Sequence, residues 1–296
     1  MLAGVLLGPS LLGWIAPRVQ AWLFPTSSTA AVAGHLVGVP HPSMAIPYVL
    51  AQVGVALYMF LVGLQFDLTL VRQQGRPAVA VSLAGIAVPL ALGGAAAGLL
   101  LRQPGLIGAG LSHMDAAFFF ALSLSITAFP VLARIVEEHG IAQTTLGTLA
   151  IAAAATNDAV AWCLLAILLG LVGGTPQGPV LTLGATIVYV ALMLSLGRVG
   201  LRAWARRVGR PEEAGGAVLG MALLVVLVGS WVTTVIGIHL IFGAFVAGVA
   251  MPRGRVALAL RGQLESVTTA LFLPIFFVYS GLNTQITLLA TPPCGG

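Results

Sequence analysis

The chain has 296 residues, 59% of them hydrophobic and 7% charged, with a mean hydropathy of +1.06. A soluble core of that composition would lack the polar surface to cover itself, so most of the chain faces lipid or other buried helices, and a water-soluble enzyme or binding module is excluded. The net charge of +5 comes from 13 arginines and no lysine against 8 acids; in a membrane chain such an excess belongs to cytoplasmic loops and points to no nucleic-acid partner.

Apolar segments fall at about 1–16, 46–66, 77–101, 116–138, 144–171, 179–200, 215–236, 238–252 and 264–284. Most are near the roughly 20 residues a helix needs to cross the hydrocarbon, so the chain reads as an all-α polytopic membrane protein of about nine segments. Segment 1–16 is short and lacks a charged flank; it resembles neither a signal peptide nor a complete span, and a truncated start is expected. The stretch 17–45 holds Pro17, Pro25, Pro40 and Pro42 with a Ser/Thr cluster and reads as a loop beside the membrane. Cys163 and Cys294 suggest no disulfide framework.

If the nine segments cross in alternation, one side receives Arg72, Arg76, Arg134, Arg198, Arg202, Arg206, Arg207, Arg210, Arg253, Arg255 and Arg261, which is 11 of the 13. Only Arg18 and Arg102 fall on the other side. That asymmetry makes the first side cytoplasmic and supports the segment count, because a miscounted helix would scramble it.

Two stretches repeat. "GLQFDLTL" at 63–70 compares with "GLNTQITL" at 281–288, and "AGV" at 3–5 with "AGV" at 247–249. The first pair ends on opposite sides in this topology, as in the inverted repeats of many transporters.

Two places within the membrane are chemically unusual. Asp158 lies roughly 20 Å into its helix at 1.5 Å per residue, near the bilayer midplane, where an acid costs at least about 2.5 kcal/mol and must face the bundle or a water-filled cavity. Gly147, Ala150, Ala154 and Asp158 recur at spacings of three and four, a small-residue face that lets another helix approach the acid. Asn157, about 100° round the helix, is a candidate neutral ligand or a helix-packing amide. The second place is "LSLSITAFPVLARI" at 122–135. Pro130 removes a helix donor and clashes with the carbonyl of residue 126, while Ser123, Ser125 and Thr127 can satisfy the backbone groups freed, so an interruption at mid-depth is expected. Interrupted helices expose carbonyls and half-helix ends that coordinate ions.

"ITAFPVLARIVEEHGIAQTTLGTLAIAAAATNDAVAW" resembles the paired core helices of the monovalent cation/proton antiporter superfamily, in its second branch. "AGVLLGPSLLG", "QVGVALYMFLVGLQFDL", "GIHLIFGAFVAGVAMP" and "LPIFFVYSGLNTQI" resemble the family's other signatures in the same order. The resemblance implies an inverted-repeat fold with a broken helix at Thr127 to Pro130. It also implies that Asp158 binds proton and Na⁺ or K⁺ in turn, with Asn157, Thr127 and Ser125 beside it, and that the full-length protein is a homodimer in the cell inner (plasma) membrane. No cofactor is implied. The sequence departs from the family in carrying Asn then Asp at 157–158 where many members have two acids, which leaves stoichiometry open, and "GLQFD" where "GLELD" is usual. The family continues past "SGLNTQI" into further helices, so an incomplete exchanger domain over 1–290, followed by a non-family tail over 291–296, is expected.

Dinucleotide, Walker, zinc-helix and nucleophile-elbow motifs are absent from the sequence. Proteolysis by paired aspartates lacks a second deep acid, since Asp67 and Asp115 lie at helix ends. His239 reads as a packed or interfacial histidine, and Glu137, Glu138 and His139 as a solvated helix end. The expected function is exchange of Na⁺ or K⁺ for H⁺ by alternating access across the lipid bilayer. A cation-binding channel or sensor subunit, or an inactive fragment, is the alternative.

Overall fold

A computed structural model of the chain describes residues 2–25, 27–32, 35–40, 42–66, 75–100, 112–126, 132, 135–136, 139–141, 144–172, 178–208 and 215–284. Thr127, Pro130, Glu137, Glu138 and the tail at 291–296 lie outside them.

The first apolar segment is two pieces rather than one. α1 (Leu2–Leu7) and α2 (Leu12–Ile15) are separated by Gly8 to Leu11, where Pro9 has no N–H to continue the ladder. α3 (Pro17–Leu23) follows with proline in its first turn, where the missing donor is harmless. The loop expected over 17–45 is partly ordered as a hairpin: β1 (Ser27–Val32) pairs antiparallel with β2 (His35–Pro40), Ser27 opposite Pro40 and Val32 opposite His35. Thr29, Val32, Val37 and Val39 suit a pleated backbone, and Pro40 stands at the strand end, where a missing donor is tolerated. The helical class therefore holds for the rest of the described residues, with this hairpin as the exception.

The long helices are α4 (Pro42–Gln65), α5 (Gly75–Leu100), α6 (His113–Ser125), α7 (Thr145–Val172), α8 (Gly178–Leu192), α9 (Arg198–Val208), α10 (Gly215–Ile236), α11 (Leu240–Ala250), α12 (Arg255–Val267) and α13 (Leu273–Leu282). π-helical turns at Met193–Gly197 and Thr268–Phe272 join α8 to α9 and α12 to α13. Among the described residues, Met44–Gln65, Ala80–Leu99, Gly184–Val208, Gly215–Ile236 and Arg255–Leu282 are long and apolar enough to cross a bilayer. α7, at 28 residues or about 42 Å, also exceeds what a span needs. The chain is a multi-pass membrane protein.

The helices form two groups. α4 packs against α11 and α13, α11 against α10, and α13 against α1; α5, α6 and α7 pack on one another. α8 lies between the groups, touching α7 on one side and α10 on the other, and its Tyr189 hydroxyl donates to the Gly243 carbonyl of α11 at 3.3 Å. Between α4 and α11 the core is Val55, Met59, Val62 and Phe66 against Phe242, Phe245, Val246 and Val249, with the Phe66 and Phe245 rings edge to face. Ala154 of α7 joins this cluster, so one residue of the small-residue face read from the sequence packs here.

The repeated sequences make matching contacts. A Cβ at Gly248 would collide with the carbonyl oxygen of Phe60, three residues before Gly63; one at Gly4 would collide with that of Val278, three residues before Gly281. Further along, Arg253 donates to the carbonyls of Leu64 and Phe66, closing the C-terminal end of α4. Ser10 donates to the Thr284 carbonyl at 2.7 Å, which stands three residues after Gly281 as Phe66 stands after Gly63. Contacts advance in the same direction along both members of each pair, so α4 runs parallel to α11 and α1 parallel to α13. Parallel partners need an odd number of crossings between them. The nine-segment reading supplies that in both cases.

Candidate functional site

Asp158 sits at the middle of α7, in a helix that runs unbroken from Thr145 to Val172. Unbroken helix on both sides satisfies its backbone, leaving the carboxylate as the chemical exception in an apolar rod. The residue before it is fixed in detail. Asn157 receives a hydrogen bond on Oδ1 from the hydroxyl of Ser82 in α5 at 2.5 Å. Its Nδ2 faces Gly85 one turn further along α5, where an added Cβ would lie 3.1 Å away. Ser82 is 1% exposed. A buried hydroxyl and a half-buried amide oxygen thus pair, and the glycine leaves room for the amide to reach.

α6 brings the second element. Its start is capped by Ser112, whose Oγ accepts from the Asp115 N–H at 3.1 Å and donates to Asp115 Oδ2 at 2.7 Å, so Asp115 is a helix-start residue as the sequence implied. Its end comes at Ser125, with Ile126 extended at φ −77° and ψ 119°. The helix therefore ends just before Ile126, which lies four residues ahead of Pro130 and is the residue whose carbonyl proline would crowd in a continuing helix. Ser125 is buried at 1% exposure and donates to the Leu122 carbonyl at 2.9 Å, satisfying a last-turn acceptor. α5 and α6 are drawn together by small residues: Gly93 faces Ala121, with a Cβ there only 2.8 Å from the Ala121 Cα, and Ala97 is fully buried.

The three packed helices thus carry Asp158 and Asn157 on α7 and Ser125 at the C-terminal end of α6, and add Ser82 and Gly85 on α5, which have no local signal in the sequence. Thr127 and Pro130 are outside the described residues, as is the side chain of Asp158. His239, exposed, caps the start of α11, its Nδ1 accepting from the Ile241 N–H at 3.5 Å.

The family profile described as "Sodium/hydrogen exchanger, transmembrane" matches residues 1–293. The chain belongs to the sodium/hydrogen exchanger family. Among relatives, it is 35% identical over 298 residues to the Na(+)/H(+) antiporter NhaS4 of Synechocystis sp., covering 99% of this chain and 68% of that protein. It is 36% identical over 293 residues to Cation/H(+) antiporter 18 of Arabidopsis thaliana, covering 98% of this chain and 34% of that one. It is 31% identical over 300 residues to K(+)/H(+) antiporter 1 of Saccharomyces cerevisiae, covering 98% and 32%. The chain therefore spans about two thirds of the cyanobacterial exchanger and about a third of the plant and yeast ones. In this member of the family the helix that stops at Ser125 packs directly on the helix holding Asp158.

Proposed function

We propose that this exchanger moves a monovalent cation, Na⁺ or K⁺, across the plasma membrane in exchange for H⁺, with Asp158 as the group that carries each in turn. The observation that carries this reading is the Ser82 to Asn157 hydrogen bond, which anchors the middle of α7 to α5 beside the broken end of α6. A neutral amide locked to one side of the helix leaves the adjacent carboxylate as the only group of the pair able to exchange a proton. Proton and cation then compete for one oxygen pair.

Alternating access requires the helices holding the acid to move against the rest. The division into α5, α6 and α7 on one side and α1, α4, α10, α11 and α13 on the other, with α8 between, supports that motion. In this reading Thr127 and Ser125 lend oxygen to the cation, Pro130 keeps the helix from closing over it, and the working assembly is a homodimer. The test is flux coupling: a full-length version in everted vesicles should move protons uphill on an imposed Na⁺ or K⁺ gradient. Cation passage without proton movement would instead mark a channel.

A further inference from the structure

The face that runs from α8 through the π-helical turn into α9 changes character within one turn. Leu192, Leu196 and Val199 are exposed at 50%, 69% and 62%. Continuing at helical spacings of three and four come Arg202 and Arg206, both exposed. The opposite face of α9 is already occupied, since Leu201 is buried in the core and Trp204, Ala205 and Val208 pack against the same cluster. α9 is therefore held by the protein and turns Arg202, Arg206 and Arg207 outward. Arg198, one turn before Arg202, has its Nε shielded from solvent without a partner among the described residues. No acid occurs within α9, and Glu265 of α12 is engaged by Arg261 at 2.8 Å.

We propose that Leu192, Leu196, Val199, Arg202 and Arg206 form a binding site for an anionic phospholipid of the cytoplasmic leaflet. The acyl chains lie along the exposed leucine and valine side chains, and the headgroup phosphate meets the guanidinium groups where the apolar face ends. Guanidinium offers paired N–H donors that match phosphate oxygens. Free phosphate satisfies the arginines and leaves the apolar face uncovered. Phosphatidylcholine covers that face, but its own cation competes for the phosphate charge. The anionic lipid satisfies both halves of the site.

The test uses the chain purified in detergent and titrated separately with phosphatidylglycerol, phosphatidylcholine and inorganic phosphate. Bound lipid is read by native mass spectrometry and the thermal unfolding midpoint is followed in parallel. Phosphatidylglycerol should bind saturably and raise the midpoint, while the other two should not. Each interfacial arginine contributes about fivefold in affinity, so the Arg202→Gln/Arg206→Gln variant should bind phosphatidylglycerol about 25-fold more weakly. Leu196→Asn should weaken it as well, which a purely electrostatic attraction would not predict. Equal binding of phosphatidylcholine, a midpoint rise from phosphate alone, or wild-type phosphatidylglycerol affinity in the double arginine variant would each overturn the proposal. The mass readout decides the matter even for a variant of lowered stability.

Discussion

Gly248 of α11 lies so close against the carbonyl oxygen of Phe60 in α4 that no Cβ fits between them. Gly4 of α1 stands in the same relation to Val278 of α13. Two helix pairs distant in sequence thus approach through the same glycine at the same place in a repeated motif, as a duplicated transporter half requires. Close backbone approach is what holds helices together where lipid is as apolar as leucine.

Substituting that glycine should therefore be felt. Gly248→Ala forces backbone apart and should destabilise by about 1–3 kcal/mol, the usual range for overpacking. Gly220→Ala in α10, where an added Cβ meets nothing within 4 Å, should be neutral or stabilising by up to about 1 kcal/mol. Thermal unfolding in detergent measures both, and equal effects would deny the close contact its role.

Arg253 is the counterpart prediction at the end of the same pair. Its guanidinium donates to two carbonyls beyond the reach of α4's own amides, so Arg253→Ala should cost about 3 kcal/mol from loss of charge-assisted bonds. Arg253→Lys should recover part of this, because an ammonium can reach a carbonyl but lacks the fork that spans both. A full rescue by lysine would mean that charge alone acts there.

Most membrane helices were legible because their apolar runs exceed what a soluble core needs, and the parallel pairing of α4 with α11 agrees with the arginine count that ordered them. Two boundaries were missed for one physical reason. Hydropathy falls where Arg198 and Arg255 begin, yet the helix continues to Val208 and starts at Arg255, because Leu201, Trp204 and Val208, and Val256, Leu260 and Leu264, keep a buried stripe at helical spacing. The hairpin at 27–40 was hidden by prolines that lie at or beyond its ends. At the site, Asp158 stood out through its charge. Ser82 did not, since a lone serine in an apolar helix has no local signal and its partner Asn157 is 75 residues away. The pairing that resolves Asn157 as an amide facing α5 exists only in the fold.

That contact is itself testable. Ser82→Ala leaves the Asn157 oxygen without its donor, and Gly85→Val intrudes on its amide. Losing such a hydrogen bond costs about 1 kcal/mol, so each change should raise the cation concentration for half-maximal exchange by about fivefold in a full-length version. Unaltered cation dependence in both would make the contact purely structural.

Orientation can be read by single-cysteine labelling from each side of sealed vesicles. Cysteine at Arg206 should label from the cytoplasmic side, and cysteine at His113, exposed at the start of α6, from the outside. Labelling of both from one side would overturn the topology, and with it the inverted relation of the repeats.

The most direct measurement is cation-driven proton movement in everted vesicles carrying a full-length version with Asp158→Asn, beside the unsubstituted protein. Asparagine keeps the volume and hydrogen-bonding reach of the acid but cannot give up or take a proton at the bilayer midplane. Expression should be largely intact, while a Na⁺ or K⁺ gradient should no longer move protons at any pH. Exchange at the normal rate in this variant would contradict the account and move the carrier role to another residue.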